Sequence, residues 1–207
     1  APPSKHSQTK STSHSGLVQD GTTAEGSAKE SKYKNSDLPP GAITGNKWCS
    51  VLVPTYAKWN SMLNICWGTK NSQEIEVLQL LWDVVYKHTI PAMIQGDDPI
   101  YTTATQRITE WQGGFMSASI SMIHSLINSD ERFSSPQGQC GLANFRLEGN
   151  QMWKSPFILQ TFAAHIHFIQ GAMDIPINTG LKDRHGYPKA ALSLAGAAAC
   201  IQITSFL

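Results

Sequence analysis

Two histidines, His165 and His167, invite a search for metal chemistry. Residues two apart on one helix point about 200° apart, so both cannot ligate one ion, and the zinc-hydrolase motif places its histidines four residues apart around a glutamate. The chain's four cysteines contain no Cys-x-x-Cys pair. We therefore expect no metal and no cofactor. The alternative is a metal site assembled from distant residues such as Asp97, Asp98 and His165.

Nucleophilic chemistry has little support. The chain contains no Gly-x-Ser-x-Gly motif, and Cys140 stands beside glycines in a loop-like segment. A reactive cysteine needs a lowered pKa from a helix start or a basic partner, and we expect Cys140 to be a plain thiol. Cys49, Cys66 and Cys200 fall on apolar helical faces and are expected to be small core residues.

Phosphate and nucleic-acid recognition also lack their usual patterns. No glycine-rich phosphate-binding motif is present. Lys plus Arg number 16 and Asp plus Glu 15, and charged residues make up 15% of the chain, against about 25% in a typical soluble domain. Nucleic acid is therefore not the expected partner. Any contact with it would use the lysines of the N-terminal segment together with Lys182, Arg184 and Lys189.

The alternative is that the chain is an enzyme, or an accessory protein of a mobile element that acts on nucleic acid. Few of its residues could then carry out the chemistry. The candidate catalytic residues are Asp97, Asp98, Glu110, His165 and Arg184.

The chain divides at a cluster of helix-breaking residues, 37–41. Residues 1–36 are polar and predict a disordered tail, whereas 37–207 predict an ordered domain. The chain ends on apolar residues in helical register, so we expect it to be a fragment of a longer product. No stretch reaches the 18 apolar residues of a membrane-spanning helix.

The body predicts an all-α domain of five or six helices. Apolar residues recur at helical spacing from Trp48, which predicts short helices at 46–52 and 54–64 around Pro54. The alternative for 51–53 is a buried strand. A capping pair, Asn71 and Glu74, precedes a central helix that ends before Pro91 and is centred on Trp82.

The later helices begin at cap-and-proline signals, Asp98-Pro99 and Ser155-Pro156, and at Pro188. The first extends to about Asn128 and predicts a kink or a close helix approach at Gly113-Gly114. In the second, we expect His165 to be more buried than His167 and hydrogen-bonded in the core. The apolar stripe predicted for that helix is Ile158, Phe162, Ile166, Ile169 and Met173.

Several segments together resemble a large, lineage-expanded family of basidiomycete fungal proteins, of a kind found with mobile elements, for which no activity is known. The resemblance implies an intracellular setting and assigns no functional residue. The segments that carry it are 38–41 (LPPG), 47–48 (KW), 53–55 (VPT), Trp59, 77–83 (VLQLLWD), 155–165 (SPFILQTFAAH) and 188–192 (PKAAL).

Low charge density and the lack of a catalytic motif favour a non-enzymatic interaction or scaffold domain. A surface this poor in charge is expected to be covered by a protein partner or by a second copy of the chain.

Overall fold

The fold is built from helices, and the prediction of an all-α domain is confirmed. The computed structural model describes residues 33–64, 71–129, 131, 135, 137–138, 155–174 and 187–205, which belong to one compact unit, Ser31–Leu207. No strand occurs among them, and none of their helices is long and apolar enough to cross a membrane. The α-helices are α1 (Val53–Ser61), α2 (Asn71–Tyr86), α3 (Pro99–Ser129), α4 (Pro156–Phe168) and α5 (Lys189–Ser205).

The predicted polar tail, 1–36, lies outside the described residues except for its last four, of which Asn35 and Ser36 belong to a 3₁₀ turn, Asn35–Asp37. A second 3₁₀ turn, Thr44–Asn46, precedes a π-helical turn, Trp48–Leu52, that continues directly into α1.

Pro54 lies in the first turn of α1, where its missing N–H costs no hydrogen bond. The prediction of helix on both sides of Pro54 is confirmed, and the alternative strand at 51–53 is wrong. Trp48 and Leu52, four residues apart, are both buried.

The cysteines follow the prediction of small core residues only in part. Cys49 is exposed rather than in the core, because one residue further along a helix than Trp48 lies about 100° away from the buried face. Cys200 is half-buried on α5. Cys66 and Cys140 lie outside the described residues.

Helix α2 contributes fully buried side chains to the core, as its apolar pattern predicts. Trp82 is fully buried, and its indole N–H donates to the carbonyl oxygen of Ile90 at 2.8 Å. The hydroxyl of Tyr86 donates to the carbonyl oxygen of Ala42 at 2.7 Å. These two side chains attach the loop after α2 and the turn before the π-helix to the same helix.

The described part of α2 begins at Asn71, next to residues outside the described ranges, so the capping pair of Asn71 and Glu74 stays a prediction. The helix ends at Tyr86, five residues before Pro91. It ends there because Lys87 and His88 adopt left-handed backbone angles. The side-chain amide of Gln79 then holds the following segment. Its nitrogen donates to the Ala92 carbonyl at 3.0 Å, and its oxygen accepts the Ile94 N–H at 2.8 Å.

Helix α3 starts where the sequence predicts it. The carboxylate of Asp98 accepts the backbone N–H of Tyr101 at 2.7 Å, which is N-cap geometry. The helix runs for 31 residues without a break at Gly113 and Gly114. A Cβ added at either glycine would meet no atom of the described residues within 4 Å, so none of the described helices makes the predicted close approach there.

The helices α3, α4 and α5 pack against one another, and α1 contacts α3 and α5. The buried face of α5 consists of alanines and a glycine together with Leu194, and its small residues allow the neighbouring helices to approach closely. On α4 the predicted stripe is displaced: Ile158 is buried, Phe162 and Ile169 are half-buried, and Ile166 is 50% exposed. Met173 lies beyond the end of α4 and is also exposed.

The segment that follows α4 is attached to the π-helix and α1. The N–H of Met173 donates to the hydroxyl of Thr55 at 3.0 Å, and Lys58 forms an ion pair with Asp174. Gly171 has a positive φ of 86° and lies so close to Ser50 that a Cβ would collide with the Ser50 carbonyl oxygen. A glycine is therefore required at position 171.

Changing Gly171 to alanine is expected to lower the free energy of unfolding by about 2–3 kcal/mol, since left-handed strain and a collision with backbone act together. Gly45 is the matched control: its φ is also positive, at 66°, but a Cβ there meets nothing within 4 Å. Gly45→Ala should cost about 1 kcal/mol. Urea titration measures both losses, and equal losses would contradict the contact with Ser50.

Candidate functional site

The acidic catalytic candidates are exposed or already engaged. Asp97 is exposed beside the cap of α3. Both carboxylate oxygens of Asp98 accept backbone N–H groups, from Tyr101 at 2.7 Å and from Gln95 at 2.8 Å. Glu110 is exposed on α3 and pairs with Arg107 at 2.6 Å. Each of these groups has a local structural partner or faces solvent.

The structure does not gather the candidates that lie within the described residues into one site. Asp98 and Glu110 are separated by twelve helical residues, which is about 18 Å along the helix axis. His165 is on α4, with 1% of its surface exposed. Arg184 lies outside the described residues, as does Lys182, and Lys189 is exposed at the start of α5. In the described ranges, no three His, Cys, Asp or Glu side chains lie close enough to hold a metal ion.

His165 lies in an aromatic cluster between α3 and α4. The indole N–H of Trp111 donates to His165 Nδ1 at 3.3 Å, and the two ring centroids are 5.7 Å apart. Phe162 and Phe115 contact the same imidazole at centroid distances of 5.3 and 6.5 Å. His167, by contrast, is exposed. The prediction that His165 is the buried, hydrogen-bonded histidine is confirmed.

Burial lowers the pKa of His165 to about 4, because the aromatic surroundings disfavour an imidazolium. Since an indole N–H can only donate, Nδ1 must be unprotonated, and the neutral ring carries its proton on Nε2. At neutral pH the histidine is therefore an uncharged hydrogen-bond acceptor that fixes α3 against α4.

A second polar cluster joins α1, α2 and α3. The hydroxyl of Tyr101 donates to the Glu74 carboxylate at 2.7 Å, which connects α3 to α2. Burial, and then the nearby Glu74, raises the pKa of Tyr101 to about 12 and also raises the pKa of Tyr56. Both phenols therefore stay protonated at neutral pH. The hydrogen bond from Tyr101 to Glu74 attaches α3 to α2.

The outer face of α4 has no such structural role. Leu159 and Ile166 are 51% and 50% exposed on this face, and Ala163 between them is exposed as well. The 13 residues of α4 include no Asp, Glu, Lys or Arg. A helix that is largely apolar on all sides is normally buried on all sides, whereas α4 is buried only on its inner face. Its outer face is the candidate functional site.

The two long helices that pack against α4 carry few charged side chains. Helices α3 and α5 contain 31 and 17 residues, and their charged side chains are Arg107, Glu110 and Lys189. The first two form an ion pair with each other. Electrostatic recognition of a charged ligand is therefore disfavoured on the described parts of these three helices, and contact through shape and apolar area is favoured.

No protein-family model, curated protein or solved structure matches the chain. What the protein does must therefore be inferred from its own geometry. Sequence reasoning missed Leu159 and misplaced Ile166, which it assigned to the buried stripe. One signal could have found them, because α4 is largely apolar around its whole circumference and a three-helix packing can cover only part of that surface.

Proposed function

We propose that the chain is a non-enzymatic interaction domain whose contact surface is the outer face of α4. One observation carries the proposal: Leu159 and Ile166, large aliphatic residues one above the other on a helix without Asp, Glu, Lys or Arg, are half exposed. Apolar area of this kind gains free energy when a partner removes it from water, at about 25 cal/mol per Å².

The setting of this interaction is proposed from the resemblance alone. The segments that carry it, above all 155–165, suggest a member of the lineage-expanded basidiomycete family, and with it an intracellular protein. The same segment forms most of α4, so the residues most typical of that resemblance include Leu159 and Ala163. The family has no known activity, so the proposed interaction rests on the exposed apolar face.

Site-specific photo-cross-linking tests the proposed function. A benzophenone amino acid placed at position 159 should yield discrete heavier adducts when the full chain is irradiated in its native cells. The matched control is the same label at Leu80, which is 37% exposed on α2. Absence of adducts from position 159, or an identical set of adducts from both positions, would overturn the proposal.

A further inference from the structure

The outer face of α4 has two flanks of different chemistry. With about 100° between successive residues, Ala163 lies at the centre of the exposed arc. Leu159 and Ile166 lie on one side of it, and Gln160 and His167 on the other. All five side chains are exposed. The face is therefore apolar along one flank and polar along the other, and the polar flank is uncharged when His167 is neutral.

This layout is complementary to itself in one orientation. If two copies of α4 pack antiparallel about a two-fold axis at Ala163, Leu159 of one copy faces Ile166 of the other. On the opposite flank, Gln160 faces His167, and an amide and an imidazole can hydrogen-bond. A parallel two-fold pair would instead set the apolar flank of each copy against the polar flank of the other, which desolvates polar groups without partners.

We propose that the occupant of this face is a second copy of the chain, bound antiparallel through α4 with Ala163 on the two-fold axis. This inference rests on the proposed function and names its partner. The small side chain of Ala163 lets the two helices approach closely, and no Asp, Glu, Lys or Arg of α4 opposes the approach. Isologous contacts of this kind are the commonest form of self-association.

The two-fold contact is small, since α4 has 13 residues and stable interfaces bury about 800 Å² on each partner. We therefore expect a reversible monomer–dimer equilibrium with a dissociation constant on the order of 100 µM. Sedimentation equilibrium of the full chain over a range of concentrations measures it directly.

Two charge substitutions test the orientation of the pair. Leu159→Lys and Ile166→Glu should each weaken dimerisation about tenfold or more. An equimolar mixture of the two variants should recover dimerisation. In the mixed dimer, the lysine introduced at position 159 of one copy faces the glutamate introduced at position 166 of the other. The second contact of the pair, between the native leucine and isoleucine, is kept. Val84→Lys, at a residue 39% exposed on α2, is the matched control and should leave the equilibrium unchanged.

Ala163→Glu provides a second, independent variant, because it sets two like charges against each other at the axis without disturbing a buried residue. Circular dichroism confirms that each variant is folded. Failure of the mixture to recover dimers, or equal weakening by Val84→Lys, overturns the proposed pairing. A chain that stays monomeric at about 1 mM while position 159 cross-links to a foreign protein overturns the self-pairing alone. Monomers without any adduct overturn the proposed function as well.

Discussion

Replacing Trp82 with alanine is expected to lower the free energy of unfolding by about 3–5 kcal/mol, the range for removing a large aromatic residue from a core. Trp82 is fully buried and contacts the rings of Trp48 and Tyr86 at centroid distances of 6.3 and 4.4 Å. The substitution leaves a cavity between these rings. It also removes the hydrogen bond to Ile90, and with it one attachment of the loop after α2.

Denaturant titration measures this loss, and α2 supplies its own control. Val84 lies about half a turn away on the exposed side of the helix, so Val84→Ala should cost less than about 1 kcal/mol. Trp82→Phe keeps a buried ring but lacks the N–H donor, and should fall between the two. A loss below about 1 kcal/mol for Trp82→Ala would show that α2 does not lie at the centre of the core.

The stability of the protein is expected to fall steeply between pH 6.5 and pH 4 because of His165. The unfolded chain binds a proton at this imidazole near pH 6.5, whereas in the folded protein its pKa is about 4. Over this interval the unfolded state therefore binds more protons, so stability decreases as the pH falls. The full contribution, present above pH 6.5, is about 3 kcal/mol at 1.36 kcal/mol per pH unit.

Comparison of variants isolates the contribution of this histidine from that of the carboxyl groups that titrate in the same range. His165→Gln keeps an acceptor for Trp111 but cannot be protonated, so its loss of stability between pH 6.5 and pH 4 should be smaller than that of the wild type. Gln160→Ala, on the exposed side of α4 and without a titratable group, should follow the wild-type curve. Equal pH dependence of all three proteins in urea titrations would contradict the assignment.

Local signals located most of the helices. Proline and a capping carboxylate begin α3 at Asp98-Pro99, and the 3.6-residue recurrence of apolar side chains places Trp82 on a buried face. Such signals act over one or two turns and need no knowledge of the rest of the chain. They do not predict contacts between helices, such as the hydrogen bond that Glu74 of α2 accepts from Tyr101 of α3.

The candidate site was likewise predicted only in part by the sequence. That α4 is a largely apolar helix containing one buried histidine followed from its sequence. The extent of its buried face did not, because Leu159 and Ile166 are as apolar as the buried Ile158, and residue type alone does not show which of them the neighbouring helices cover.

The sequence by itself determined the all-α class, the helix starts at prolines and caps, and the low charge of the molecule, because each follows from residue types and their spacing. Only the tertiary structure decided that Trp111 donates a hydrogen bond to His165 and that Gly171 packs against the backbone of Ser50, since the residues of each pair are distant in the chain. It also decided that Leu159 and Ile166 face outward, because burial on α4 depends on where α3 and α5 pack against it.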